Sequence, residues 1–285
     1  MRPAQLSVTE IERLIRDPYA IYARRVLGLG ALDPLRPAPD ARLRGTVLHR
    51  VIEAFVAGRP EARTDPQTEP REAARARLRA LAEAELAARV PWPTARRLWL
   101  ARLMRVADWY LDREDARMGT PVLLERAGAI AVPPTGLTLV ARPDRIDRLP
   151  CGALEILDYK TGTVPGPREQ KHFAKQLLLE AAMAERGAFA ALGPSRVARV
   201  AYLGLGGTPK EDVTEITPAL SAGVWEDLGH LLGHYAEPGR GYAARRAPRT
   251  ETAEGDFDHL ARFGEWDMTD DPVTIPVGRP QGEQP

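Results

Sequence analysis

For its first third the chain spaces its apolar residues with a helical period, and after Gly119 it switches to short apolar runs. In LSVTEIERLIRDPYAIYARRVLGL, Ser7 and Glu10 stand at the spacing of a capping box ahead of Ile11, Leu14 and Ile15. Asp17-Pro18 either interrupts that helix or starts a second short one. After the Pro-rich link DPLRPAPD, the segment ARLRGTVLHRVIEAFVAG lays Val47, Leu48, Val51, Ile52 and Phe55 on one helical face. The polar stretch from Gly58 to Pro70 reads as a surface connection. Two more helices follow. REAARARLRALAEAELAARV is half exposed by its composition. TARRLWLARLMRVADWYLDREDAR carries a core stripe of Leu98, Trp99, Leu103, Val106, Trp109 and Tyr110.

Beyond Gly119, PVLLERAGAIAV, LTLVARPDRIDRL and ALEILDYKTG are bounded by Pro, Gly or turn residues, as strands are. PREQKHFAKQLLLEAAMAERGA returns to a helical pattern, and SRVARVAYLGLGG reads as a further strand. The amphipathic helix ALSAGVWEDLGHLLGHYAEPG then leads into a Gly-, Arg- and Pro-rich tail, loosely held from about Asp270. The order of elements predicts an α/β core covered by helices. Residues 1–120 form a helical region, 121–240 the α/β core and 241–285 a basic, polar tail, all in one integrated domain.

Composition narrows the function classes. Forty basic against thirty-nine acidic residues leave a net charge of +1, so overall charge does not mark a nucleic-acid binder, though a local basic cleft is compatible with it. One cysteine excludes an intramolecular disulfide framework, a cysteine zinc cluster and a cysteine-ligated iron–sulfur cluster. No apolar run reaches the roughly 18 residues of a membrane span, and MRPAQLSVTEIERL lacks the apolar stretch of a secretory signal. The expectation is a cytoplasmic protein. Only four of the basic residues are Lys, and three of them (Lys160, Lys171, Lys175) lie close together. A chain that uses Arg for generic positive charge gives each Lys more weight.

The sharpest chemical signal is Asp158-Tyr159-Lys160 at the end of a predicted strand. Residues two apart on a strand share a face, so a carboxylate and an ammonium project together. That pair suits metal-assisted phosphodiester hydrolysis, with the carboxylate on a hard cation and the ammonium orienting water or steadying transition-state charge. LTLVARPDRIDRL and ALEILDYK, joined by a short turn from Leu149 to Gly152, predict an antiparallel hairpin in which Asp144 faces Asp158. Asp147 is the competing candidate; its alternative is a plain ion pair with Arg145 or Arg148. His49 sits at the margin of an apolar helix face, where a structural histidine is the ordinary reading. Gln176, Lys171 and Lys175 are each compatible with an exposed helix face. His230 and His234 stand four apart with no third metal ligand at a matching spacing.

GTVLHRVIEAF, ARPDRIDRL, EILDYKTG and KQLLLEAA, in that order, resemble the nuclease domains of the RecB/AddB group within the PD-(D/E)XK superfamily. The opening LSVTEIERLIRDPYAIYARRVLGL and the closing DFDHLARFGEW extend the likeness, which is nearest to the C-terminal nuclease region of the AddB type. The resemblance implies a central mixed sheet flanked by helices and a Mg²⁺-dependent DNA nuclease, with Mn²⁺ as a possible substitute. It further implies work on linear single- or double-stranded DNA ends in double-strand break repair, beside an AddA-like helicase–nuclease subunit. His49, Asp144, Asp158 and the Tyr159 carbonyl match the metal ligands, Lys160 the catalytic lysine and Gln176 the glutamine of a Q-x-x-x-Y helix. Glu180 stands where that helix usually has tyrosine. Asp17 stands where cluster-bearing relatives have cysteine, so no iron–sulfur cluster is expected. The alternative class is a catalytically silent DNA-end-binding or scaffolding module. A last open question is the segment GRGYAARRAPR, whose Arg240, Arg245, Arg246 and Arg249 read as a solvated tail or a phosphate-contacting arm.

Overall fold

A computed structural model describes residues 2–30, 32, 34–58, 69–250 and 254–273. Most of the connection expected between Gly58 and Pro70, and the end of the tail beyond Val273, lie outside the described residues. The chain runs β1 (Gln5–Ser7), α1 (Val8–Arg16), α2 (Pro18–Arg25), α3 (Ala41–Ala57), α4 (Arg71–Arg89) and α5 (Pro93–Ala116). It continues through β2 (Thr120–Leu124), β3 (Gly128–Val132), β4 (Leu137–Ala141), β5 (Arg145–Arg148) and β6 (Leu154–Lys160). The last elements are α6 (Pro167–His172), α7 (Gln176–Glu185), β7 (Val197–Gly204), β8 (Lys210–Glu215) and α8 (Pro218–Ala236).

The local signals for α1 are realised as read: Ser7 Oγ accepts from the Glu10 amide while Glu10 Oε2 accepts from the Ser7 amide. Asp17 starts a second helix, its carboxylate accepting from the Ala20 amide. The apolar face of α3 is buried from Val47 to Val56. On α5, Trp99, Leu103, Val106 and Tyr110 are buried, but Leu98 is exposed and Trp109 only half-buried.

Two mixed sheets form where one was expected. The larger has the order β2-β5-β6-β7-β8, with β6 and β7 parallel and its other neighbours antiparallel. The smaller has the order β1-β4-β3, with β1 parallel to β4. The apolar runs PVLLERAGAIAV and LTLVARPDRIDRL each supply a strand to both sheets. The first crosses over at Glu125, which takes a positive φ of 47°. The second crosses at Arg142-Pro143-Asp144, where Pro143 has no N–H to continue a ladder. Strand β1 is only three residues long, and β8 is a polar edge strand, KEDVTE, whose charges guard the sheet edge. Neither carries the apolar alternation by which strands are read from sequence.

The larger sheet is covered on both faces, so β6 is buried along nearly its whole length. Leu154 and Ile156 pack with α1, α7, α8 and the smaller sheet, while Leu157 and Tyr159 face α3, α4 and α5. The second face also encloses a buried ionic network. Arg145 pairs with Asp147 at 2.6 Å and Glu114 at 2.7 Å, and Arg117 reaches Glu155 at 3.3 Å and Glu211 at 3.0 Å. The segment read as one helix from Pro167 breaks at Phe173, whose ring lies 3.9 Å from the Arg16 guanidinium. The break starts α7 afresh at Gln176.

The Arg-rich segment after α8 is neither a solvated tail nor a free arm. Arg245 is buried, pairs with Asp258 at 2.8 Å and stacks on Phe263, while Phe257 packs against Ala20 and Ala23. Arg249 is held by Glu12 and Arg240 by Glu237, and Arg246 hydrogen-bonds Tyr235. Contacts across more than two hundred residues, which composition does not reveal, decide this.

Candidate active site

The two sheet crossovers lie side by side, because the Glu125 amide donates to the Asp144 carbonyl at 3.2 Å. Their carboxylates thereby meet the side of α3 that carries His49. His49 Nδ1 lies 3.1 Å from Asp144 Oδ1 and 3.6 Å from Glu125 Oε1, and Nε2 donates to the Tyr159 carbonyl at 2.8 Å. Asp144 Oδ2 accepts from the Tyr159 amide at 2.7 Å, which fastens the start of β5 to the end of β6. The Tyr159 backbone thus faces the site. Its side chain turns the other way, with the hydroxyl 3.4 Å from Arg145 Nη1.

Asp158 and Lys160 share the opposite face of β6 from Tyr159, as strand alternation requires. Lys160 Nζ donates to Asp158 Oδ1 at 3.0 Å and lies 2.8 Å from Oδ2. From the first turn of α7, Gln176 joins them, its Nε2 donating to Asp158 Oδ1 at 2.8 Å and its Oε1 accepting from Lys160 at 3.2 Å. Had the helix run unbroken from Pro167, Gln176 would sit within it rather than at its start. Tyr202 of β7, paired in register with Asp158, lies beneath the ammonium, with Nζ 5.4 Å from its ring centre.

His49, Asp144, Asp158, Tyr159, Lys160 and Gln176 therefore come together. Lys171 and Lys175 do not join them: Lys171 is exposed, and Lys175 Nζ donates to the Lys171 carbonyl. Asp147 is fully buried in the ionic network with Arg145. His230 and His234 belong to no group of three possible metal ligands among the described residues.

Two acids went unassigned at the sequence level. Glu125 completes a set with His49 and Asp144 whose donor atoms all lie within 4.8 Å of one another. Its only signal was a charged pair, Glu125-Arg126, interrupting an apolar run. Glu180, one turn along α7 from Gln176, is fully buried; its Oε1 accepts from Gln176 at 3.3 Å and its Oε2 has no hydrogen-bond partner among the described residues.

The electrostatics follow from crowding acids under little solvent. Burial pushes Asp158 up to about 6, against the pull of Lys160. Burial, then the charges of Asp158 and Asp144, push Glu180 well above the usual carboxylate range. Burial works against a charged His49, but hydrogen bonds to Asp144 and Glu125 outweigh it and raise the imidazole to about 10. Lys160 is raised because Asp158 outweighs its desolvation. An excess of close carboxylates with one imidazole and a backbone carbonyl is a donor set that fits a hard divalent cation, and the nitrogen ligand also suits Mn²⁺.

The family model described as the PD-(D/E)XK nuclease superfamily matches residues 5–265. An uncharacterized protein of Rickettsia conorii is similar at 27% identity over 186 residues, which is 64% of this chain and 22% of that protein. Another, from Rickettsia typhi, is 27% identical over 64% of this chain and 21% of its own length. The chain thus spans about a fifth of the curated relatives it matches. A crystal structure of the protein SSO0001 aligns with a TM-score of 0.35 at 12% identity, covering 81% of this chain and 78% of that one.

Proposed function

The chain belongs to the PD-(D/E)XK nuclease superfamily, and from that premise we propose that it is a metal-dependent DNA nuclease whose catalytic residues are Asp144, Asp158 and Lys160. The observation that carries the reading is the convergence of two acids and a lysine, over 2.7–3.2 Å hydrogen bonds, with His49, the Tyr159 backbone and Gln176. His49, Glu125, Asp144, Asp158 and the Tyr159 carbonyl would hold the cation, Mg²⁺ or Mn²⁺. When bound, it supplies positive charge to the phosphate and makes water more acidic. Lys160 presents its ammonium to the scissile phosphate and the attacking water, and Gln176 fixes both Lys160 and Asp158 in place. A silent scaffold has no need of these groups in one place.

The sequence motifs support a finer reading: action on DNA ends in double-strand break repair, as part of an AddAB-like helicase–nuclease with an AddA-like partner. The core reading is tested with labelled linear single- and double-stranded DNA in Mg²⁺, Mn²⁺ or EDTA, comparing the wild type with Asp158→Asn. Metal-dependent cleavage lost in the variant supports it. Equal cleavage by both proteins, or none by the wild type in either metal, refutes it.

A further inference from the structure

Beside the catalytic cluster, on the other side of α3, lies a cleft of about 340 Å³. Its volume falls in the range of about 300–1,000 Å³ typical of ligand sites. Val47, Leu48 and Val51 of α3, Leu86 of α4, and Trp99 and Leu103 of α5 line it with apolar surface. Arg44, Arg102 and Arg105 also line it, as does Thr161, which directly follows Lys160. Elsewhere on α4 and α5, Arg71, Arg75, Arg77, Arg79, Arg89 and Arg113 pair with carboxylates. Among the described residues, Arg44, Arg102 and Arg105 have no carboxylate partner.

Helix α3 links the two places. Its Arg44, Val47, Leu48 and Val51 line the cleft, while His49, Ile52, Glu53 and Val56 border the carboxylates. One helix with its side chains is about 10–12 Å across, so a strand at the catalytic cluster reaches the cleft within a short step along its backbone.

We propose that this cleft takes an unstacked base of single-stranded DNA, with the Trp99 indole and its apolar neighbours receiving the base and Arg44, Arg102 and Arg105 the flanking phosphates. This rests on the nuclease reading and names the form of its substrate. The charge complementarity is direct, since three arginines with no carboxylate partner among the described residues line a cleft whose other lining is mostly apolar. An apolar floor with an aromatic face is what unpaired bases use, and it is sequence-tolerant because every base has a π-face. A base committed to a duplex cannot enter without being extruded, at a cost in pairing and stacking. The cleft therefore favours single strands or frayed ends over intact duplex.

The test is binding in EDTA, where no cleavage occurs, using a fluorescent single-stranded oligonucleotide and its blunt duplex. Arg44→Ala/Arg102→Ala/Arg105→Ala should lower the salt dependence of single-strand binding by about two units, at roughly 0.7 per lost phosphate contact. A second variant, Gly207→Phe, obstructs the cleft without touching the arginines. Gly207 lines the cleft, and a side chain built on it meets nothing within 4 Å. It should keep the salt slope but weaken single-strand binding about tenfold, leaving duplex binding unchanged. Thermal melts check that both variants fold. Unchanged single-strand binding in both variants, or equal losses for duplex and single strand, overturns the inference. Cleavage by the wild type in Mg²⁺ or Mn²⁺ is scored separately. A protein that cuts while both variants bind normally loses only the cleft; one that binds as expected but never cuts loses only the nuclease reading.

Discussion

Replacing Glu180 by Met should change the pH dependence of stability more than stability itself. Glu180 is 1% exposed, accepts one hydrogen bond from Gln176 and has a second oxygen with no hydrogen-bond partner among the described residues. Burial and the neighbouring Asp158 and Asp144 raise its pKa well above the ordinary value. The folded protein therefore keeps a proton that the unfolded chain, titrating near 4.3, gives up. With the native state holding the extra proton, raising the pH favours unfolding. Stability falls by about 1.4 kcal/mol per pH unit from the unfolded value up to the raised folded one. Methionine has similar length and no proton, so this loss disappears. Any packing change it causes is independent of pH and cancels when two pH values are compared. The advantage of Glu180→Met over wild type should thus grow as the pH rises from 5 to 7, up to the one-proton limit of about 3 kcal/mol. Urea unfolding in EDTA at those two pH values measures it. Parallel shifts of the two proteins would mean that Glu180 is ionised in the fold and held by Lys160, and the reasoning would fail.

Three further outcomes are expected. Lys160→Arg should fold and bind DNA but cut at least ~100-fold more slowly, a loss of about 2.7 kcal/mol, because a planar fork places its donors differently from an ammonium. Single-turnover cleavage measures this, and a rate near wild type would reduce Lys160 to a charge. His49→Ala should weaken Mn²⁺ activation about tenfold and more than Mg²⁺ activation, since it removes the nitrogen donor; metal titrations that coincide with wild type would return His49 to a structural role. Arg145→Met removes the guanidinium that pairs buried Asp147 and one of the arginines on Glu114, which Arg117 still reaches at 3.3 Å, and should cost about 3–5 kcal/mol in urea unfolding. A loss below about 1 kcal/mol would show that water reaches these acids.

The helices of the first third, the capping box at Ser7 and Glu10, the strand that ends in Asp158-Tyr159-Lys160 and the hairpin into it were all legible in sequence. Each is a matter of local periodicity or spacing, and a strand's two-residue period alone places Asp158 and Lys160 on one face. The motif residues His49, Asp144 and Gln176 were legible as resemblance, yet only the fold shows how they meet. Tertiary structure decided that two apolar runs would each split between sheets, and that split sets Glu125 beside Asp144. It set Asp147 into an ionic network with Arg145 and Glu114, so that the ion pair its letters offered as an alternative is the one formed. It broke the helix at Phe173 so that Gln176 opens α7, and it drew Arg245 out of a nominally solvated tail to pair with Asp258. Most of these pairings bring in partners from elements far apart along the chain, such as Glu114 against Arg145 and Arg16 against Phe173. Pairings of that kind are set by burial and charge in three dimensions, which a reading of neighbours along the sequence does not contain.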